Sequence, residues 1–334
     1  MNWSEITLNV KKRPTIRDVA KLANVSVATV SRYLNGKTKK MTSETAQTIA
    51  DAIEKLKYVP NSAAREMAKN KSKIIAIVIA NLADYFSTEI FKGASYKLEE
   101  AGYVPVLLDT GADQNHEKQV LDSINLYGFD GLILQPLTSD TELIKSKLTR
   151  EFPVVVLDRK LKHSPWPEVV TNNSEASKNA TQYFFNHGFK HIVVLSSTIQ
   201  IVSTRSERLK GIKEVTSNID IVEIDESNFD RSKVYNELVN ALKSNEKTLL
   251  FSLKERWLLK FLPQLMKDNV LNEQNYAVTG FADTQLINGI CPYAKVISQN
   301  PSFMGEKAAE ILLAMLNDEK KDIDDLVINA TLKK

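Results

Sequence analysis

The residues best suited to chemistry in this chain lie at positions 15–34, which read TIRDVAKLANVSVATVSRYL. Ser26 is a good N-cap for a helix that begins at Val27, because its side-chain oxygen can accept a hydrogen bond from an unpaired backbone N–H. With the apolar residues of this helix turned toward a small core, the residues that face outward are Val27, Ala28, Thr29 and Arg32.

These outward side chains match the chemistry of DNA bases. Arg32 can hold guanine with two hydrogen bonds, and the apolar Val27 and Ala28 can contact the methyl group of thymine. A helix that presents its first turns in this way can read base edges in the major groove. The sequence therefore predicts base contacts from the outward face of this helix, Thr29 included.

Two short helical patterns on either side of Asn24-Val25 must position this face, and their spacing is that of a helix-turn-helix. Asn35-Gly36 ends the second helix, and Thr42 opens a third amphipathic helix that ends before residues 58–61. The spacing alone also fits an ordinary helical hairpin. The charge distribution favours the DNA-binding interpretation, because residues 1–71 carry +8 and residues 72–334 carry −5.

Composition excludes several classes of protein. The chain has 334 residues, 43% of them hydrophobic and 25% charged, as in ordinary globular proteins. It has one cysteine and four scattered histidines, so we expect no disulfide framework and no metal site. We find no phosphate-binding loop, dinucleotide fingerprint, zinc-protease motif or nucleophile elbow, so we expect neither an enzyme with catalytic residues nor a cofactor. The N-terminus has no signal-peptide pattern and no membrane-length apolar run exists, which predicts a cytoplasmic protein.

Beyond residue 73 the pattern changes to alternating strands and helices. Residues 74–80, IIAIVIA, form a continuous β-branched run, as expected of a buried parallel strand. Similar runs alternate with helical patterns to residue 158, and the alternation restarts near residue 169. This predicts an α/β body of two doubly wound, mostly parallel sheets.

The whole arrangement resembles the LacI/GalR family of bacterial repressors. The motifs T-I-x-D-V-A, V-S-x-A-T-V-S-R-x-L-N, Y-x-P-N and A-R-x-x-A occur in order, and Asn24 stands where the family usually has glycine. The resemblance implies an all-α helix-turn-helix head and a body of the periplasmic sugar-binding type. It further implies a homodimeric repressor near the nucleoid that binds a pseudo-palindromic operator and is released by a small carbohydrate effector. Two alternatives stay open, a regulator whose DNA binding is enhanced by a ligand or partner protein and a sugar-binding protein.

The resemblance also implies domain bounds. It gives a tail at residues 1–12, a helix-turn-helix domain at 13–60, a hinge at 61–72 and an effector-binding, dimerising body at 73–334. The N-subdomain would span about 73–158 and 296–320, and the C-subdomain about 159–295 and 321–334. Strand 296–299 would thus return to the first subdomain and the strand near 326–330 to the second.

For the head, the resemblance implies that DNA backbone contacts come from Thr15, Ile16, Ser31, Asn35, Lys39, Thr42, Thr45, Tyr58 and Asn61. In the hinge, Ala64 and Met67 would approach the minor groove, and Met67 stands where the family has a leucine wedge.

For the body, residues that follow strands should line a cleft. The implied effector contacts are Phe86, Asp158, Arg159, Asn173, Arg208, Phe229, Lys254 and Asp283, with Asp84 on the same rim. The family's carboxylates are replaced here by Lys254, Ala282 and Asn172. We therefore expect a more positive cleft and an anionic ligand, such as a sugar acid or sugar phosphate.

Overall fold

The computed structural model describes residues 14–38, 41–58, 72–318 and 324–333. The chain divides into two compact units, residues 1–71 and 72–334, which we call the head and the body. Each unit has its own apolar core. Within the described ranges, no helix is both long and apolar enough to cross a membrane.

The head consists of three helices, α1 (Ile16–Leu22), α2 (Val27–Leu34) and α3 (Ser43–Leu56). Apolar residues at helical spacing form its core, namely Val19, Ala20, Ala23, Val30, Ile49 and Ala52. Asn24 has a φ of 51°, the left-handed conformation that Asn tolerates better than most residues. This turn between α1 and α2 explains why Asn can replace the glycine usual in similar sequences.

The first lobe of the body is built on a six-stranded parallel sheet with the order β11-β5-β4-β3-β1-β2. Its strands are β1 (Ile74–Ile79), β2 (Val104–Asp109), β3 (Gly131–Leu134), β4 (Val154–Asp158), β5 (Glu168–Thr171) and β11 (Leu326–Ile328). Its helices are α4 (Tyr85–Glu100), α5 (Gln114–Ile124), α6 (Thr141–Lys147) and α12 (Pro301–Leu316).

The second lobe has a sheet with the order β12-β10-β9-β8-β6-β7, parallel except for β12. Its strands are β6 (His191–Ser197), β7 (Ile219–Ile224), β8 (Thr248–Ser252), β9 (Tyr276–Phe281), β10 (Lys295–Ser298) and β12 (Thr331–Leu332). Its helices are α7 (Asn173–Asn186), α8 (Ser203–Lys213), α9 (Arg231–Leu242), α10 (Glu255–Lys267) and α11 (Leu286–Ile290). The predicted class, a helical head with a doubly wound α/β body, is confirmed.

Three strands lie in a different lobe from the one expected. β5 pairs with β4 in the first sheet, although the sequence interpretation started the second subdomain at 159. β10 pairs with β9 in the second sheet, and β11 pairs with β5 in the first, the reverse of the predicted crossing. All three carry apolar residues that either sheet could bury, so their burial pattern does not determine their hydrogen-bonding partner.

Helix α12 does return to the first lobe, where it packs closely against α4. A Cβ added at Gly93 would lie 1.9 Å from the Ser302 carbonyl oxygen, and one added at Gly305 would lie 2.1 Å from the Ile90 carbonyl oxygen. Both glycines therefore let the two backbones approach. This contact holds α4 in place, and residues just before and within its first turn line the cleft described below.

Candidate DNA-recognition helix and ligand cleft

The start of α2 is built as the sequence predicts. The Ser26 side chain accepts a hydrogen bond from the backbone N–H of Thr29 at 3.1 Å, and Val30 is fully buried beneath the helix. Val27, Ala28 and Arg32 are exposed. The exposed face of α2 thus offers two apolar groups and one guanidinium, the set that can read thymine methyls and guanine.

Thr29 differs from its three neighbours on this face. It is half-buried, and its hydroxyl lies 2.8 Å from the Ser26 hydroxyl, within hydrogen-bonding distance. The hydroxyl therefore stabilises the start of α2. Base contact by Thr29 stays a prediction, and its methyl group is the part not involved in the cap.

The residues expected to touch the DNA backbone differ in exposure. Thr15, Asn35 and Thr42 are exposed, whereas Ile16, Ser31, Thr45 and Tyr58 are half-buried. Thr15 donates to Asp18 from its backbone N–H and its hydroxyl, both at 2.8 Å, and Thr42 accepts from the Thr45 N–H at 3.2 Å. The remaining predicted contacts lie outside the described residues, and they are Lys39, Asn61, Ala64 and Met67.

A cleft that is partly open to solvent lies between the two lobes of the body. Its lining follows the carboxyl ends of the strands in both sheets, as expected for a doubly wound fold. The sequence-predicted residues that it brings together are Phe86, Asp158, Arg159, Arg208, Lys254 and Asp283. They come from both lobes, so a ligand here would contact both.

Arg208 is the most unusual group in the cleft. It is 7% exposed and its guanidinium lies 3.7 Å from the ring centre of Phe281. It donates to the Asn173 side-chain oxygen at 2.7 Å and to the Leu253 carbonyl at 2.6 Å, both neutral acceptors. Among the described residues, no carboxylate lies within ion-pair distance of it. Burial lowers the pKa of Arg208 to about 10, although Asp158 and Asp283 oppose the shift.

The close packing of α8 on α7 positions Arg208. A Cβ added at Gly211 would lie 2.0 Å from the Ser174 carbonyl oxygen, so only glycine permits this approach. The approach brings Arg208 on α8 to Asn173 at the start of α7. Asn173 therefore lies behind Arg208 and orients it, rather than lining the cleft itself.

The first lobe contributes a second polar group around Asp158. This residue has a φ of 68°, a left-handed conformation that residues other than glycine, asparagine and aspartate rarely adopt. Its carboxylate accepts from the Gln135 amide at 2.9 Å and lies 3.5 Å from the Arg159 Nε. Arg159 donates to the Pro136 carbonyl at 2.9 Å, but its buried Nε has no hydrogen-bond partner among the described residues.

Asp283 and Glu255 brace the second lobe. The Asp283 carboxylate accepts from the Ser298 hydroxyl and the Gln299 N–H, both at 2.8 Å, and from the Asn300 N–H at 3.1 Å. Glu255 accepts from the backbone N–H groups of Asp283 and Thr284. Burial raises the pKa of Glu255, and hydrogen bonds from Thr284 and Asp283 oppose the rise.

Lys254 is already paired within the protein. Its ammonium lies 2.9 Å from the Asp84 carboxylate of the first lobe and 3.6 Å from Glu226. Five cations and four carboxylates line the cleft, so its charges nearly balance, whereas the sequence predicted a more positive cleft. Any preference for an anionic ligand therefore depends on individual groups, of which Arg208 is the clearest.

Phe229 is not brought to the cleft. Its ring packs 5.5 Å from that of Trp257 and 6.3 Å from that of Phe261, at the edge of the apolar core. Aromatic burial against these two rings accounts for its position. Phe229 therefore does not line the cleft, which corrects the expectation that it contacts the ligand. The aromatic rings that line the cleft are Tyr85, Phe86 and Phe281.

Several cleft residues were missed by the sequence interpretation, namely Gln135, Arg205, Glu255, Arg256 and Gln299. Two of these residues could have been predicted from their positions in the sequence. Arg205 lies three residues before Arg208, the spacing that places two side chains on one helix face, and Gln135 directly follows β3. Burial lowers the pKa of Arg205, whose guanidinium donates to the Thr198 carbonyl at 2.8 Å.

Comparison with known proteins agrees with both units. Residues 15–61 match the bacterial regulatory proteins of the lacI family, and residues 71–245 match the periplasmic binding proteins and sugar binding domain of the LacI family. A LacI transcriptional regulator from Lactobacillus brevis, known from its crystal structure, is 42% identical. That match covers 78% of this chain and 100% of the other, with a TM-score of 0.75.

Two more distant relatives cover nearly the whole chain. The HTH-type transcriptional regulator KdgR of Bacillus subtilis (strain 168) is 27% identical over 312 residues, which is 92% of each chain. The lac repressor dimer bound to operator and the anti-inducer ONPF gives a TM-score of 0.81 at 19% identity, covering 97% of this chain and 98% of that chain. At this identity the likeness shows a shared fold.

A helix-turn-helix head and a two-lobed α/β body in one chain define a DNA-binding transcriptional regulator with an effector-binding domain. The matches to both parts make the assignment specific. The chain belongs to the LacI family of bacterial regulatory proteins, and it is a DNA-binding transcriptional repressor of that type.

Proposed function

We propose that this repressor binds its operator as a homodimer and is released by a small carbohydrate acid, a sugar carboxylate or sugar phosphate, bound between the lobes. The main support for an acidic ligand is the burial of the positively charged Arg208. A buried cation without a carboxylate partner is costly, and the same burial lowers the pKa of Arg208. An acidic group in the cleft would reduce the cost, and a neutral sugar would not.

The carbohydrate part of the proposal rests on acceptors that suit hydroxyl groups. One carboxylate oxygen of Asp84 is buried and has no hydrogen-bond partner among the residues the structure describes. A carboxylate accepts readily from a ligand hydroxyl. The Arg159 Nε lies 3.5 Å from the Asp158 carboxylate but has no hydrogen-bond partner among the described residues. With this group as a donor, the cleft offers places for both ends of a small hydroxy acid.

The release mechanism follows from the position of the cleft between two lobes. A ligand that contacts both lobes draws them together, and this change would reach the paired heads through the hinge. The ligand can act only through a higher affinity for the released form. By reciprocity, operator DNA must then weaken ligand binding by the same factor. Because a two-fold dimer presents two equal heads, we expect a pseudo-palindromic operator.

A thermal-shift screen of sugar acids, sugar phosphates and neutral sugars on the full chain tests the proposal. Acids should raise the melting temperature, while their neutral parent sugars should not. The best ligand is then titrated into the protein bound to a fluorescent operator duplex, where it should lower the anisotropy. A rise in anisotropy would show a co-repressor, and preferential binding of neutral sugars would contradict the acidic ligand.

A further inference from the structure

Lys254 and Asp84 form an ion pair across the cleft. Lys254 lies between β8 and α10 of the second lobe, and Asp84 lies between β1 and α4 of the first. The ammonium nitrogen and a carboxylate oxygen are 2.9 Å apart. The pair therefore joins the two lobes directly, through protein groups alone.

The environment of this pair makes it more than a surface contact. The side chains of Lys254 and Asp84 are only 19% and 11% exposed, so salt and water screen their attraction less than at an open surface. Each residue directly precedes a helix, on a short connection from a strand, with Lys254 before α10 and Asp84 before α4. Their backbones are thus held by the two sheets, and little additional ordering is needed to form the pair.

Glu226 holds the lysine from its own lobe. Its carboxylate lies 3.6 Å from Lys254 and also within ion-pair distance of Arg205 and Arg256, at 3.4 and 3.6 Å. The Ser197 hydroxyl donates to the same carboxylate. Glu226 therefore holds Lys254 from the second lobe, and Asp84 faces it from the first lobe. The two carboxylates together direct the Lys254 ammonium across the cleft.

We propose that Lys254 is a latch that holds the two lobes together, and that its charge is used by Asp84 rather than by a ligand. The functional meaning of this latch rests on the proposed function, in which the angle between the lobes controls release from DNA. Its effect is an electrostatic bias toward the closed arrangement that acts whether or not the cleft is filled. High salt should weaken the bias only slightly, because the pair is mostly buried.

Distances across the cleft test the latch. Spin labels are attached to cysteines that replace Leu82 and Leu286, exposed residues on opposite lobes, in the full chain. The native Cys291 is fully buried and should not react. Pulsed electron spin resonance then gives the distribution of distances between the labels for the parent, Lys254→Gln, Asp84→Asn and the double variant.

We expect either single variant to raise the ratio of long to short distances about fivefold, the effect of losing roughly 1 kcal/mol. The double variant should show no more than either single one, because each already breaks the same interaction. Raising NaCl from about 0.05 to about 0.5 M should change the distances in the parent less than either substitution does, because burial limits screening of the pair.

Lys260→Gln is the matched control, since it removes the same charge from an exposed position on α10 and leaves the latch intact. Unchanged distances in both single variants, additive effects in the double variant, or an equal effect of Lys260→Gln would overturn the latch. If Lys254→Gln fails to fold, Asp84→Asn alone decides. The measurement contains neither DNA nor effector, so a failure of the acidic-ligand proposal would leave its outcome unaffected.

Discussion

The prediction that tests the cleft most directly is the replacement of Arg208 by methionine. Methionine keeps an unbranched apolar stem over the Phe281 ring and removes the charge. The change deletes two hydrogen bonds to neutral acceptors, each contributing about 1.5–3 kcal/mol from a charged donor. It also removes a buried cation. The fall of its pKa from 12.5 to about 10 corresponds to a penalty of about 3 kcal/mol. The free energy of unfolding should therefore drop by only about 0–3 kcal/mol.

The effect on ligand binding should be larger and selective. A bidentate contact between Arg208 and a ligand carboxylate or phosphate involves two charge-assisted hydrogen bonds. Losing them removes about 3 kcal/mol or more, which is a roughly 100-fold rise in the dissociation constant. Operator affinity without effector should stay unchanged, because Arg208 lies in the body and the predicted DNA-contacting residues lie in the head.

Calorimetric titration with the best acid from the ligand screen measures this effect, and operator anisotropy measures release. Arg231→Met, an exposed arginine at the start of α9, is the control for the loss of one positive charge. Acid binding within about threefold of the parent in Arg208→Met would refute the reasoning. An equal loss for the neutral parent sugar would show instead that Arg208 recognises hydroxyl groups.

Three further predictions concern the head and the stability of the body. Arg32→Ala should cost about 1–3 kcal/mol of operator binding and relax the preference at one base pair per half-site, and an equal loss on all sequences would show that Arg32 holds only phosphate. Replacing Lys39 and Lys40 by alanine should weaken binding to any duplex and flatten the salt dependence of log K, so an unchanged slope would remove them from the interface. Burial raises the pKa of Glu117 from 4.5 to about 6, although the Leu137 N–H and Arg159 oppose the rise. The folded protein therefore binds this proton more tightly than the unfolded chain does, and the stability gained from the protonated carboxyl is lost as the pH rises through 6. Glu117→Gln, whose amide oxygen still accepts from the Leu137 N–H, should therefore raise the free energy of unfolding by up to about 2 kcal/mol at pH 8 and hardly at pH 4.5; equal gains at both pH values in urea unfolding would contradict this.

The helices of the head could be predicted from the sequence because the patterns that define them are local. Ser26 and Thr42 cap the helices that begin directly after them, and Val30 repeats with the other core residues at helical spacing. A cap and an amphipathic face each depend on a few neighbouring residues. The exposure of Val27 and Arg32 followed from the same periodicity.

The sequence did not predict correctly which lobe three of the strands join. β5, β10 and β11 each combine apolar residues with a short length, and such a strand could join either sheet. Their partners are decided by hydrogen bonds to residues distant in the chain, such as the pairing of Leu326 with Val169. A resemblance at the level of motifs did not supply this pairing.

The sequence by itself determined the family, the candidate recognition helix and the places after strands where the cleft would lie, since these depend on residue type and short-range spacing. The tertiary structure decided what each cleft residue does. It placed Phe229 on Trp257 rather than in the cleft, and it paired Lys254 with Asp84 across the two lobes. It also buried Arg208 without a carboxylate partner among the described residues. Packing, desolvation and ion pairing join groups from different elements, and their strength depends on distances that no local pattern specifies.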